Sequence, residues 1–216
     1  MDMQKNNRDM GAKKYRTFLY GLARGLAWVL FHTVYPVTLH NMEHVALQGP
    51  YILIANHLSA LDPICVAYAV KTEEITFLSK KEAMQGRLGW LLRALHAISV
   101  DRHNFDMAAM RACTQALRKG QALGIFPEGT RYKKGNMEEL ESGVALLALR
   151  NSVPVVPMYI HGKLRPFHRI HCYADAPIPM DDLREMGVGR EASDALLKRI
   201  ATLYADLAQR AGNKLQ

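Results

Sequence analysis

The chain reads as an α/β domain with a basic, apolar helical segment in front of it, and three observations say so. Its 216 residues are 49% apolar and 22% charged, an ordinary globular balance that excludes disordered, collagen-like and fibrous classes. Beyond residue 40, apolar runs of about four to eight residues alternate with amphipathic stretches, the pattern of strands alternating with helices. Ahead of them, one apolar run over residues 17–39 carries Arg24 as its only formal charge.

That leading run follows a polar tail in which Lys5, Arg8, Lys13, Lys14 and Arg16 outweigh Asp2 and Asp9. A helix ending near Pro36 holds about 19 residues and spans roughly 28 Å at 1.5 Å per residue. That is marginal against a hydrocarbon layer of ~30 Å. Phe18, Leu22, Leu26 and Val29 form one apolar stripe. Tyr20, Trp28, Phe31 and Tyr35 suit the headgroup level, where Arg24 can snorkel. The expectation is a helix lying in a membrane surface, with packing against the domain's own core as the plainer reading.

The following elements are expected in order. Residues 51–55 (YILIA) form a buried strand, and residues 63–70 a helix with Asp62 as its N-cap. Residues 75–78 and 97–100 are strands. Residues 104–119 form a helix with Met107, Met110, Cys113 (or Thr114) and Leu117 on one face, ended by Gly120. Residues 122–126 are a strand, 142–150 a helix and 153–160 a strand; Pro154 and Pro157 argue for an edge or irregular position. Residues 169–173 add a strand. Residues 190–211 close the chain as an amphipathic helix with Leu196, Ile200, Leu203 and Leu207 along one stripe. The loop-like residues 177–189 are too few to divide domains. The division expected is a tail and membrane-associated helix over 1–40 and one domain over 41–216.

The net charge of +8 asks for an anionic partner. No nucleic-acid motif or ring-and-cation cluster accompanies it, so nucleic acid is not expected. Cys65, Cys113 and Cys172 are widely spaced and form no Cys-x-x-Cys pair, which points to a reducing compartment rather than a disulfide framework. The nine histidines are dispersed and no metal site is expected.

Four blocks carry polar chemistry. In Asn56-His57-Leu58-Ser59-Ala60-Leu61-Asp62 a histidine and a carboxylate flank a tight loop at a strand end, where α/β sheets place ligand sites. An aspartate accepting from one ring nitrogen leaves the other as a base. Taken alone, the spacing fits a surface histidine beside a capping aspartate equally well. Phe126-Pro127-Glu128-Gly129-Thr130-Arg131 puts glycine, backbone N–H groups and a guanidinium fork at another strand end, as an anion requires. Lys80-Lys81-Glu82 and Val100-Asp101-Arg102-His103 put cations after two more strands. Val153-Pro154-Val155-Val156-Pro157-Met158 has no titratable group and is either core or the wall of an apolar slot.

Together these blocks resemble the glycerolipid acyltransferase family, closest to its bacterial lysophosphatidate-acylating branch, across about half of the chain (residues 51–159). His96 stands where the second block of that family usually has glycine, and Ala83 and Met84 where a larger apolar pair is usual. The resemblance implies a single α/β acyltransferase domain, a central mixed sheet flanked by helices, on an amino-terminal membrane-associated helix. It implies His57 as general base with Asp62 as partner, Lys80 and Arg102 lining the site, and Glu128, Gly129, Thr130 and Arg131 binding the acceptor's glycerol phosphate. An acyl group would pass from a thioester, on coenzyme A or acyl carrier protein, to 1-acylglycerol 3-phosphate. No cofactor is expected beyond that co-substrate. The expected place is the cytoplasmic face of an anionic membrane, peripheral or monotopic. Another lysolipid, glycerol 3-phosphate or an aminolipid is the alternative acceptor.

With the acceptor hydroxyl itself as nucleophile, no acyl-enzyme is needed, and the chain has no Gly-x-Ser-x-Gly elbow. An unperturbed imidazole, pKa ~6.5, is largely neutral at pH 7 and can take the hydroxyl proton. Lys80 or nearby backbone N–H groups could hold the tetrahedral oxyanion. Arg111, Arg118 and Lys119 could attract acyl carrier protein or anionic lipid.

Overall fold

A computed structural model describes residues 18–87, 89–101, 106–128, 140–162 and 165–213. The basic tail, Arg102, and the stretch holding Gly129, Thr130 and Arg131 lie outside the described residues. Among the described residues seven strands form one sheet: β1 (Val37–His40), β2 (Ile52–Ala55), β3 (Ile75–Lys80), β4 (Ile98–Val100), β5 (Ala122–Ile125), β6 (Val155–His161) and β7 (Ile170–Ala174), in the order β1-β7-β6-β2-β5-β3-β4. Every neighbouring pair is parallel except β6 with β7. The sheet is therefore mixed, and β1 and β7 run against the rest.

Helices cover both faces, so β2 is buried on both sides and reads as a continuous apolar run rather than an alternation. Ile52 and Ile54 face a core completed by α5 (Met107–Arg118), α6 (Gly143–Asn151) and α8 (Arg190–Asn213). Tyr51, Leu53 and Ala55 face the opposite core with α1 (Phe18–Thr33) and α2 (Asp62–Ala69). Leu196, Ile200 and Leu207 of α8 are buried as their spacing requires. Tyr204 of the same helix donates its hydroxyl to the carbonyls of Ile54, 2.6 Å, and Met158, 3.0 Å, so α8 pins β2 to β6 from above.

Several expectations change. β1 is unannounced because its four residues continue the apolar run of the leading helix, which ends at Thr33. The short helices α3 (Lys81–Gln85), α4 (Gly89–Ala94) and α7 (Asp181–Glu185) are too brief to show a period. β6 is central, not an edge. The Pro157 carbonyl accepts from Asp175 N–H, so its nitrogen faces β7 at the point where that ladder stops, and one bond is missing there. Val155, Val156 and Met158 are fully buried, which makes that block core rather than the wall of a slot.

α1 splits the leading apolar segment between two duties. Tyr20, Ala27 and Phe31 are buried, with Phe31 against Tyr68 of α2 and the Tyr20 hydroxyl accepting from Ile75 N–H. Tyr20 and Phe31 thus belong to the core and not to a headgroup layer. The stripe Phe18, Leu22, Leu26 and Val29 points away from the domain, with Phe18 87% exposed and Leu26 65%. Among the described residues, no helix is long and apolar enough to cross a membrane.

Candidate active site

The carboxyl ends of β2, β5 and β3 lie along one edge of the sheet, and the site is assembled there. Asn56 follows β2 and is fully buried. Its side-chain amide donates to Ile160 carbonyl, 3.0 Å, and accepts from Ile160 N–H, 2.7 Å. It thereby continues the β2–β6 ladder by one side chain and fixes where the next residue begins.

That next residue is His57. Its Nδ1 lies 3.1 Å from Asp62 Oδ2; the carboxylate is fully buried and the imidazole 13% exposed. Asp62 is the first residue of α2 rather than the cap before it, since the same Oδ2 also accepts Leu58 N–H and Ser59 N–H, both at 2.6 Å. An anion held this way, at a helix amino terminus, is stabilised by charge-assisted hydrogen bonds and by the helix dipole. The arrangement fixes the His57 tautomer: Nδ1 carries the proton toward Asp62 and Nε2 is left as the basic nitrogen.

Glu128, two residues beyond Phe126, reaches the same loop from the end of β5. Its Oε2 accepts the backbone N–H of His57 at 3.1 Å, while Oε1 is buried with no hydrogen-bond partner among the described residues. Burial pushes the Glu128 carboxyl up to about 7, the nearby charge of Asp62 adding to the rise and the His57 amide opposing it. Phe126 stacks on the His57 ring with centroids 4.4 Å apart. Phe77 of β3 stands next in line, 6.1 Å from Phe126. Phe77 reaches that place by lying across Gly124, where a Cβ would fall 2.4 Å from its ring.

The structure therefore joins His57, Asp62 and Glu128. Lys80 ends β3 on the same edge, exposed and two strands from β2, with no hydrogen bond to the other three. Asp106 caps α5 through Ala108 N–H and Ala109 N–H and accepts Asp101 N–H at 2.9 Å, so it holds the chain on both sides of the segment carrying Arg102. Sequence reasoning missed Asn56 and Phe126 as supports of the imidazole, although each opens one of the two blocks it had singled out. Beside the site, a cavity of about 180 Å³ lies between α1, α2, β3 and α4. Ala27, Ile64, Tyr68, Phe77 and Leu92 are among its lining residues. Among the described residues, no cluster of three or more histidine, cysteine or acidic side chains is placed to hold a metal ion.

Residues 36–161 match the family model described as Acyltransferase. The chain is 28% identical over 205 residues to the 1-acyl-sn-glycerol-3-phosphate acyltransferase of Streptococcus pneumoniae, covering 91% of this chain and 74% of that protein. It is 34% identical over 134 residues to the probable 1-acyl-sn-glycerol-3-phosphate acyltransferase of Mycoplasma pneumoniae, covering 59% of this chain and 50% of that one. The fold matches the solved PlsC, a 1-acyl-sn-glycerophosphate (LPA) acyltransferase of Thermotoga maritima. The TM-score is 0.64 at 20% identity, over 100% of this chain and 83% of that one.

Proposed function

We propose, from the premise that this chain belongs to the acyltransferase family, that it moves an acyl group from a thioester to the free hydroxyl of 1-acylglycerol 3-phosphate, giving phosphatidic acid. The observation that carries the reading is the His57–Asp62 pair at the end of β2, within a chain whose relatives bear that activity in their names. His57 Nε2 takes the acceptor's hydroxyl proton as the oxygen attacks the thioester carbonyl. Asp62 steadies the imidazolium, and the same proton passes to the departing thiolate. The bond formed is the ester, the bond broken the thioester, and no acyl-enzyme intervenes.

The tetrahedral oxyanion needs donors. The N–H groups of His57, Leu58 and Ser59 are already committed to Glu128 and Asp62. Lys80 is the donor this reading assigns instead. Arg102, Gly129, Thr130 and Arg131 take the acceptor's phosphate, and Glu128 closes the acceptor side of the site. The apolar cavity beside Phe77 suits part of an acyl chain, each buried methylene contributing about 0.8 kcal/mol. The outward stripe of α1 lies in the surface of an anionic membrane without crossing it, at its cytoplasmic face.

The test is purified protein with acyl-coenzyme A and acyl-carrier-protein donors against a panel of acceptors: lysophosphatidate, uncharged lysolipids, glycerol 3-phosphate and an aminolipid. Thioester consumption should require lysophosphatidate. Arg131→Ala should harm that acceptor far more than an uncharged one; equal losses would remove Arg131 from the phosphate site.

A further inference from the structure

The connection between β6 and β7 leaves the sheet at the same edge as His57, because β6 runs parallel to β2 and lies next to it. Strand spacing puts the start of this connection about 5 Å sideways from the end of β2. Within it, His168 N–H donates to Arg165 carbonyl at 3.2 Å, closing a four-residue turn with Pro166 second and Phe167 third. Phe167 has φ 62°, the arrangement of a type II turn, whose third residue is ordinarily glycine or asparagine. A phenylalanine there is strained, and its ring gains nothing from the core: it is 77% exposed. Arg165, Pro166, His168 and Arg169 are exposed around it. The sequence has no acidic residue between Glu141 and Asp175.

The turn is also fastened to the leading helix. Phe167 N–H donates to Val34 carbonyl at 2.6 Å, one residue past the end of α1, and Arg169 donates to Thr38 Oγ1 of β1 at 3.2 Å. The carboxyl end of α1, with exposed Trp28 stacked on His32, therefore meets the turn at the edge that carries the site.

We propose that residues 165–169 form a second lipid-contact surface, Phe167 entering the acyl boundary of an anionic bilayer while Arg165 and Arg169 hold its phosphates. The occupant is a membrane and not a protein groove, on three grounds. The feature is one projecting ring amid cations, it carries no acidic group to pair with a basic partner, and it is fastened just past the end of the helix that bears the exposed apolar stripe. The inference rests on the membrane reading given above and adds an orientation to it. Two contacts, one along α1 and one at this turn, set the active-site edge toward the layer from which a lipid acceptor enters.

The test uses the full chain with vesicles of phosphatidylcholine alone or mixed with phosphatidylglycerol. All three native cysteines are buried, so a Phe167→Cys variant takes an environment-sensitive fluorophore selectively at the turn. Its emission should shift to the blue with the mixed vesicles and far less with phosphatidylcholine alone. Phe167→Asn, which tolerates the positive φ, should keep the wild-type melting temperature and lose roughly ten-fold in vesicle partitioning, the value of one buried aromatic side chain. Arg165→Gln with Arg169→Gln should weaken the preference for anionic vesicles severalfold, and an unchanged preference would remove both arginines from the contact. A label that stays in water while the protein co-sediments would overturn this proposal and leave the α1 reading standing. Absence of co-sedimentation with either vesicle would overturn both.

Discussion

The backbone N–H of His57 donates to Glu128 Oε2 at 3.1 Å, which ties the loop after β2 to the loop after β5. With Asp62 holding the next two amides, three consecutive N–H groups are bound by two buried carboxylates. The imidazole is thus fixed by its ring nitrogen, by its own backbone and by the Phe126 ring stacked on it.

Glu128 should cost the fold stability at alkaline pH. Its carboxyl is raised to about 7, chiefly by burial. A carboxyl raised above its unfolded value favours folding while protonated, and that contribution is lost as pH rises from about 4.5 toward 7. Glu128→Gln keeps an oxygen for the His57 amide. At pH 8 it should therefore be more stable than wild type, by on the order of 1 kcal/mol after solvent screening. The difference should vanish near pH 4, as followed by denaturant unfolding across pH. A variant that is less stable at pH 8 would contradict this.

Asp62 and His57 should separate in their effects on folding. His57→Ala removes a ring that stacks on Phe126 and donates to Asp62, but it leaves the Leu58 and Ser59 N–H bonds to that carboxylate in place, so it should lower the melting temperature less than Asp62→Ala does. Asp62→Ala strips the acceptor from Leu58 and Ser59 N–H and should cost about 1–3 kcal/mol. Circular dichroism melts of the two variants measure this directly.

Tyr204→Phe keeps the ring and removes only the hydroxyl that bridges Ile54 and Met158 carbonyls. A loss of about 1–2 kcal/mol in urea unfolding is expected, with an unchanged m-value.

His96→Gly should stabilise the protein. His96 ends α4 with φ 57°; its N–H donates to Arg93 carbonyl, and Ala97 N–H to Leu92 carbonyl. That is the helix-ending position glycine prefers, so a gain of about 0.5–1 kcal/mol is expected once the added freedom of the unfolded chain is subtracted.

That histidine also shows what the sequence could and could not disclose. The departure at His96 was legible as a residue where glycine is usual, but only the backbone shows that the left-handed turn persists. The strands with both faces covered were legible because their apolar runs are short and punctuated. β1 was not, since nothing separates its residues from those of α1 except the turn at Pro36. His57 and Asp62 were legible as a pair. Asp62 looked like a cap because an aspartate directly before a proline at a helix start usually is one, and its turn back onto the preceding amides is a tertiary choice. The duty of Glu128 toward the His57 amide was hidden, since backbone partners far apart in sequence leave no spacing to read.

The direct transfer proposed here depends on His57 Nε2 taking the acceptor's proton. The most direct measurement is the rate of phosphatidic acid formation from acyl thioester and lysophosphatidate by wild type and His57→Ala, with thioester loss followed in parallel without acceptor. The variant's kcat should fall by roughly 10²–10⁴-fold, and neither protein should show a burst of thioester loss when acceptor is withheld. A variant within a few-fold of wild type, or an acceptor-independent burst, would contradict it.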